Sequence, residues 1–319
     1  MKRHLIAALA GIACAMPALA ETYPSRPIRL VIGYSPAGAA DFIARIVGEA
    51  MAKELGQPIL VDNKPGAGST VASTLLARAP ADGYTIGLAS GTLYGIDQHL
   101  YKVKYQPTDF TPITRFTVSP LVLAVNKKLG ITGVDDLRTK VRAQPGKLNY
   151  SSSGIGGSPH IAALSFEKAI DGQMVHIPFK GGALALQAVA AGDVELSFGT
   201  AASVLPLGKQ GVVQMLGVTT LQPSAVAPGV PTLASQGLAG FDFSFWFGLF
   251  GPAKLPQEVR DRLFAAATKA LADPQVQEKL LGTGNEAAAS KSPAEFNAWA
   301  TKDGQAALDR VKDANVKVD

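Results

Sequence analysis

The 319-residue sequence contains one cysteine, Cys14, and it lies close to the N-terminus. A chain trimmed beyond that point has no thiol, which excludes disulfide bonds and cysteine nucleophiles. Histidines are equally scarce. His4, His99, His160 and His176 are the four, and none stands in metal-ligand spacing to another histidine or to the cysteine. No G-x-S-x-G elbow or Walker lysine motif occurs. Charged residues make up only 17%, and the basic ones are scattered with no interleaved aromatic stripe, which argues against nucleic-acid binding. No internal apolar run reaches about 18 residues, so no membrane-spanning helix is expected. These absences leave no catalytic residue, no metal and no cofactor to be expected.

What remains is a chain that is 47% hydrophobic, ample for packed cores, and long enough for two domains. Its first residues follow a separate grammar. Lys2, Arg3 and His4 precede an apolar stretch over 5–16, and Ala18-Leu19-Ala20 supplies a small-residue cleavage pattern. This reads as a signal peptide over 1–20, cut after Ala20, with export to the periplasm. A lipoprotein signal ending at Cys14 stays open, although Gly11 stands where such signals carry a large aliphatic residue. Losing Lys2 and Arg3 takes the net charge from +5 to +3, a mildly cationic balance that weakly favours anionic solutes.

Strand and helix patterns then alternate. Residues 28–34 form a short apolar run of the buried parallel-strand type. The pattern over 40–55 is helical, with Phe42, Ile43, Ile46, Val47, Ala50, Met51 and Leu55 on one face, and Gly56 stops it. Strands over 58–61 and 85–89 and a helix over 71–79 complete three strand–glycine turn–helix units, which predicts an α/β domain with a parallel sheet. After Pro120 the plan restarts, with strands at 121–125, 148–151, 174–178, 194–198 and 213–218 and helices at 134–143, 159–169 and 183–191. An aromatic extended segment follows at 241–251, suited either to core packing or to ligand contact. Helices at 257–272, 274–281 and 293–312 close the chain.

Ligands of open α/β sheets bind at the carboxyl ends of the strands, so the turns there carry the chemistry. Tyr34, Ser35, Pro36, Ala37, Gly38, Ala39 and Asp41 join the first strand to its helix. Unpaired amides at a helix start, with a glycine to admit close approach, suit an anion. The same turn is also explained by Asp41 capping its own helix. Ser152, Ser153, Gly154, Gly156, Gly157, Ser158 and His160 form the equivalent turn of the second domain, readable as a carboxylate cradle or as a plain flexible turn. Ser90, Thr92, Lys180, Gly199 and Thr200 ring the same mouth.

The segments YPSRPIRLVIGYSPAGAADFIARIV, VDNKPGAGS, APADGYTIGLAS, PGKLNYSSSGIGGSPH and MVHIPFKGGALALQAVAAGDVELSF, with the late FWFGLFGP, resemble those of the Bug-type solute-binding receptors of tripartite tricarboxylate transporters, over essentially the whole mature chain. The resemblance implies a two-domain clamshell of the type II periplasmic-binding-protein kind. Each domain would be a mostly parallel sheet flanked by helices, with crossing strands between residues 21–121 plus 245–319 and residues 122–244. It implies a monomer that closes on a small mono-, di- or tricarboxylate, or an aromatic acid, and passes it to a membrane transporter of one large and one small subunit. Ala39 departs from the family pattern where a second glycine is common, as do Lys64, in place of an arginine, and Gly199, in place of an aspartate. The last departure points to a ligand without an amino group. A secreted enzyme acting on a carboxylate and a sensory receptor stand as alternatives.

Overall fold

The computed structural model describes residues 23–36, 38–179 and 181–317. The leader with Cys14 and two site candidates, Ala37 and Lys180, lie outside the described residues.

The chain opens with β1 (Ile28–Ile32), α1 (Ala39–Leu55), β2 (Ile59–Asn63), α2 (Thr70–Ala77) and β3 (Thr85–Ser90), as the apolar pattern dictates. Both faces of β1 are covered, which is why its sequence reads as an unbroken apolar run. In α1 the stripe of Ile43, Val47 and Met51 is fully buried, each side chain contributing about 1.5–3 kcal/mol on leaving water. The helix ends where Gly56, at φ 74°, turns left-handed and its N–H donates to the Ala52 carbonyl. A short helix, α3 (Ile96–Tyr101), follows β3.

The central element is β4 (Phe110–Asn126), 17 residues long. The sequence pattern shows only its second half, because Pro112 and Pro120 demote the first. The strand tolerates both prolines. Pro112 lies at a register shift against the strand β9 (Ser244–Pro252). Pro120 lies where β4 leaves that partner for new ones, so the missing N–H interrupts little of the ladder.

Beyond Pro120 come α4 (Val134–Ala143), β5 (Asn149–Ser152), α5 (Ser158–Ile170), β6 (Val175–Pro178), α6 (Gly182–Ala191), β7 (Leu196–Thr200), α7 (Ala201–Lys209) and β8 (Val213–Val218). After β9 the chain ends with α8 (Gln257–Ala272), α9 (Pro274–Gly282), the two-residue β10 (Glu286–Ala287) and α10 (Pro293–Asp313). The sheet runs β2-β1-β3-β9-β4-β7-β5-β6, with β8 and β10 also paired to β4. Pairing is parallel within β1, β2, β3 and within β5, β6, β7, and antiparallel wherever β4 or β9 takes part. The sheet is therefore mixed, two parallel blocks stitched together by two crossing strands.

Each block is covered on both faces. Core residues of α1 and α8 meet β1 and β3 in one cluster, and those of α4 and α5 meet β5 and β7 in another. The aromatic segment belongs to the core. Trp246, Phe247 and Phe250 are buried, and Trp246 Nε1 donates to Asp303 of α10 at 2.7 Å. At Gly304 of α10 an added Cβ would lie 2.2 Å from Tyr94 Cβ. Gly304→Val is expected to lift the helix off the turn after β3 and to cost about 1–3 kcal/mol of stability. Urea unfolding at an unchanged midpoint would contradict this contact.

Candidate functional site

Strand directions place the candidate turns. β3 runs parallel to β4, since both are antiparallel to β9. Because β4 runs from the first block into the second, the carboxyl ends of β1, β2 and β3 point toward the second block. β7 is antiparallel to β4 and parallel to β5, so the carboxyl ends of β5, β6 and β7 point back. The two sets of turns thus face one another. Ser90, at the end of β3, is level with Phe247 and through it with Thr117, whereas Thr200, at the end of β7, is level with Leu121. Four residues of β4 separate those levels, about 13 Å of extended chain at ~3.3 Å per residue.

The helices that start at this gap share a feature. α1, α2, α5, α6 and α7 begin there, and none has a side-chain hydrogen bond capping its N-terminus. Only α1 carries an acid in its first turn, Asp41. Longer helices starting elsewhere are neutralised: α9 by Asp273, α10 by Ser292 and Glu295, α4 by Asp135 and Asp136, α8 by Glu258. Orphan N–H groups and positive dipole ends are therefore concentrated at the gap.

On the first wall, Gly38 is the N-cap of α1, and Ser35 and Pro36 before it are exposed. Asp41 is buried and does not reach into the gap as a bare charge. Both its oxygens accept from Arg45 at 2.9 Å, and Oδ1 also accepts from Asn63 Nδ2 at 3.0 Å. Asn63 Nδ2 donates in addition to the Tyr34 carbonyl at 3.0 Å, so it ties the turn after β1 to the end of β2. Asn63 is not among the residues that the sequence pattern singles out. Its place at the head of a second glycine turn, just before Lys64 and Pro65, is the available signal.

On the second wall the loop after β5 is held by imidazoles. Ser152 is fully buried, its Oγ 2.6 Å from His176 Nε2 and accepting from the Gly154 N–H at 3.1 Å. The Gly156 N–H donates to His160 Nδ1 at 3.0 Å. The two imidazoles stack with centroids 3.8 Å apart, and Tyr150 stacks on His176. His160 and Ser152 thus shape the loop from beneath. Ser153, Gly154, Gly157 and Ser158 are partly exposed, and the N–H groups of Ile155 and Ser158 have no acceptor among the described residues. Gly156, at φ 74°, packs on α3 of the first block, where an added Cβ would meet Leu100 Cδ1 at 2.4 Å.

Gly199 owes its identity to packing and not to the ligand. A Cβ there would lie 2.6 Å from Val204 and 2.7 Å from Leu186, so that position faces the packed helices α6 and α7. Helix packing accounts for the glycine, and an aspartate there would not project into the gap. Thr200 is partly exposed and its hydroxyl contacts Ser203 at 2.9 Å.

Burial lowers the pKa of His160 to about 3 and of His176 to about 4, the latter charge also disfavouring His160. The unfolded chain then binds the extra protons below about pH 6.5, so this pair favours folding at neutral pH and loses that contribution as pH falls toward 4 and 3. Burial raises Asp97 to about 6 and Glu167 to about 7. There the folded state binds the extra protons, and folding gains as pH falls through those values. Opposed slopes nearly cancel between pH 5 and 6.5, and acid loss of stability is expected to concentrate below about pH 4.5. Imidazole resonances of both histidines should stay neutral from pH 8 to 5 by NMR; titration near pH 6 would contradict their burial. Among the described residues no group of three or more His, Cys, Asp or Glu is placed to hold a metal, and no helix is long and apolar enough to cross a membrane.

Residues 43–303 match the family model of the tripartite tricarboxylate transporter family receptor. A UPF0065 protein encoded in the tcbD-tcbE intergenic region of Pseudomonas sp. strain P51 is 37% identical over 281 residues, covering 85% of this chain and 83% of that one. Two solved structures from Rhodopseudomonas palustris superpose along their whole length. Rpa4515 with adipate has a TM-score of 0.82 at 27% identity and covers 93% of this chain. MatC with bound malate has a TM-score of 0.78 at 28% identity and covers 91%.

Proposed function

The chain belongs to the family of tripartite tricarboxylate transporter receptors, periplasmic solute-binding proteins, and from that we propose that it captures a small carboxylate in the gap between its two blocks. Residues 21–121 with 245–319 form one jaw and 122–244 the other, acting as a monomer. Main-chain amides do the holding, at 38–40 on one jaw and at Ile155 and Ser158 on the other. Tyr34, Ser90, Thr92 and Thr200 line the walls. The loaded receptor delivers its solute to a membrane transporter of one large and one small subunit. The leader directs export to the periplasm and is cut after Ala20.

The observation that carries this reading is the set of uncapped helix N-termini converging on one gap, three of them in the second jaw without a compensating acid. Such ends attract an anion without a buried lysine or arginine. The carboxylates bound by the two R. palustris relatives support the same class. Closure would follow because the ligand touches both walls only when the jaws meet.

A thermal-shift screen of the mature chain against four- to six-carbon mono- and dicarboxylates tests it. A ligand at 100 times its Kd adds about 2.7 kcal/mol, which raises Tm by about 5–10 °C in a chain of this size. No shift with any small carboxylate would overturn the reading.

A further inference from the structure

Helix α10 does not belong to one block alone. In its first half Phe296 and Ala300 pack with Trp246 and Phe250 of β9, and Gly304 sits on Tyr94. Its second half leaves that block. Ala307, Leu308 and Val311 share a buried cluster with Ile96 and Leu100 of α3 and with Ile161 of α5, and Gly156, just before α5, rests on the same Leu100. Apart from the crossing strand β4, this is the one buried apolar cluster among the described residues that draws on both blocks. Farther along, Lys168 Nζ of α5 lies 3.2 Å from Asp313 Oδ2 of α10.

The opposite flank is held differently. Leu121, Leu123 and Val125 of β4 face the cluster of α5, whereas Val122 and Ala124 face that of α7, so the two helices cover opposite faces of the sheet. On the α7 side the blocks meet through Gly284, where an added Cβ would lie 3.0 Å from Ala202, and through a hydrogen bond from the Ser224 hydroxyl to the Glu286 carboxylate. Apolar burial is non-directional, so a packed contact can roll without being lost, whereas a hydrogen bond breaks when its partners part. Past Ile161 a cavity of about 900 Å³ opens between α5 and α10, lined by Leu164, Glu167, Lys168 and Asp171 on one helix and by Arg310 and Asp313 on the other.

From this asymmetry we infer that α10 is a strap on which the second jaw rocks, with Ile161 as the bearing, and that the cavity behind the bearing widens as the jaws close and narrows as they part. This rests on the function proposed above, in which the solute draws the jaws together. The second jaw turns as one piece, because Ala162, Ala163, Phe166 and Ile170 lock α5 into its core. Ile161 stands between the seat loop at 152–158 and the cavity. A rotation that closes the α7 flank therefore swings the far end of α5 away from α10. Lys168 is two turns beyond Ile161, a lever of about 10 Å at ~1.5 Å per residue, so about 10° of rotation moves it by about 2 Å.

Nitroxides on Lys168→Cys and Asp313→Cys read the far end of the lever by pulsed EPR, in the chain without residues 1–20, which has no other cysteine. The ion pair lost is exposed and worth little. The separation should be longer with saturating adipate, malate or whichever small carboxylate calorimetry shows to bind tightest than without it. Leu164→Trp fills the cavity from α5 and hinders its narrowing. The jaws then part less readily, and affinity should rise about fivefold, the lower end of coupling between two sites. Arg310→Ala added to that chain empties the facing side and should return affinity toward wild type. A separation that stays fixed or shortens with ligand would overturn the strap, as would a folded Leu164→Trp chain that binds no tighter, and both leave a carboxylate receptor intact. If no small carboxylate binds the wild-type chain, the proposed function falls and the strap with it.

Discussion

Gly38→Asp should leave the protein at least as stable as before and abolish carboxylate binding. Gly38 is the N-cap of α1 at φ −90° and ψ 171°, a conformation any residue adopts. Its added Cβ would meet only the Ser35 carbonyl, at 3.3 Å, a contact the exposed turn can relax. An aspartate there would cap the helix and face its dipole, gains of a few tenths to about 1 kcal/mol. The same carboxylate would occupy the amides that await the ligand. A second negative charge about 4 Å away costs about 4 kcal/mol at the effective dielectric of a protein surface, roughly a thousandfold in Kd. Gly38→Asn separates the two effects. It caps without charge, so affinity should fall by only about tenfold, the share of the lost hydrogen bonds. Titration calorimetry with a thermal melt reads both. Stability and affinity moving down together would mean that the turn is a structural cap and not an anion seat.

Gly156→Val should damage the other jaw. The residue combines φ 74° with contact across the two blocks on Leu100 of α3. A β-branched side chain is strained in that backbone region and clashes with Leu100, together about 2–3 kcal/mol. Relief comes from moving the loop, which displaces the N–H groups of Ile155 and Ser158 from the gap. Losing two charge-assisted hydrogen bonds costs about 3–6 kcal/mol, or more than a hundredfold in affinity. Trimming the partner, as Leu100→Ala in the same chain, should recover part of the stability and little of the affinity, because the positive φ remains. A Gly156→Val protein that folds and binds like wild type would remove this loop from the seat.

Much of this architecture is legible in the sequence where physics is local. The apolar stripe of α1 and its stop at Gly56 are written in 17 residues, and the restart of the α/β plan after Pro120 marks the second block. The likeness to Bug-type receptors, carried by long segments, gives the family. What stays hidden depends on distant partners. The 17 residues of β4 are masked by two prolines that matter only to ladders the sequence does not display. α3 is too short for its period to register, and α7 contains Pro206. The candidate turns at 35–41 and 152–158 lie on facing walls, but the work of individual residues differs from their types. Asp41 braces Arg45 and Asn63, His160 holds Gly156, and Gly199 makes room for Leu186 and Val204. Asp97, in a helix of six residues, carries no sequence signal, because its partner Tyr105 lies outside that helix.

The proposed function requires that main-chain amides from two opposed walls, and not charged side chains, hold the solute. A crystal structure of the mature chain with the dicarboxylate it binds most tightly tests this directly. The carboxylate groups should lie about 2.7–3.1 Å from N–H groups at 38–40 on one side and at Ile155 or Ser158 on the other. A ligand gripped by an arginine or lysine, or resting on one wall with the other turned away, would contradict it.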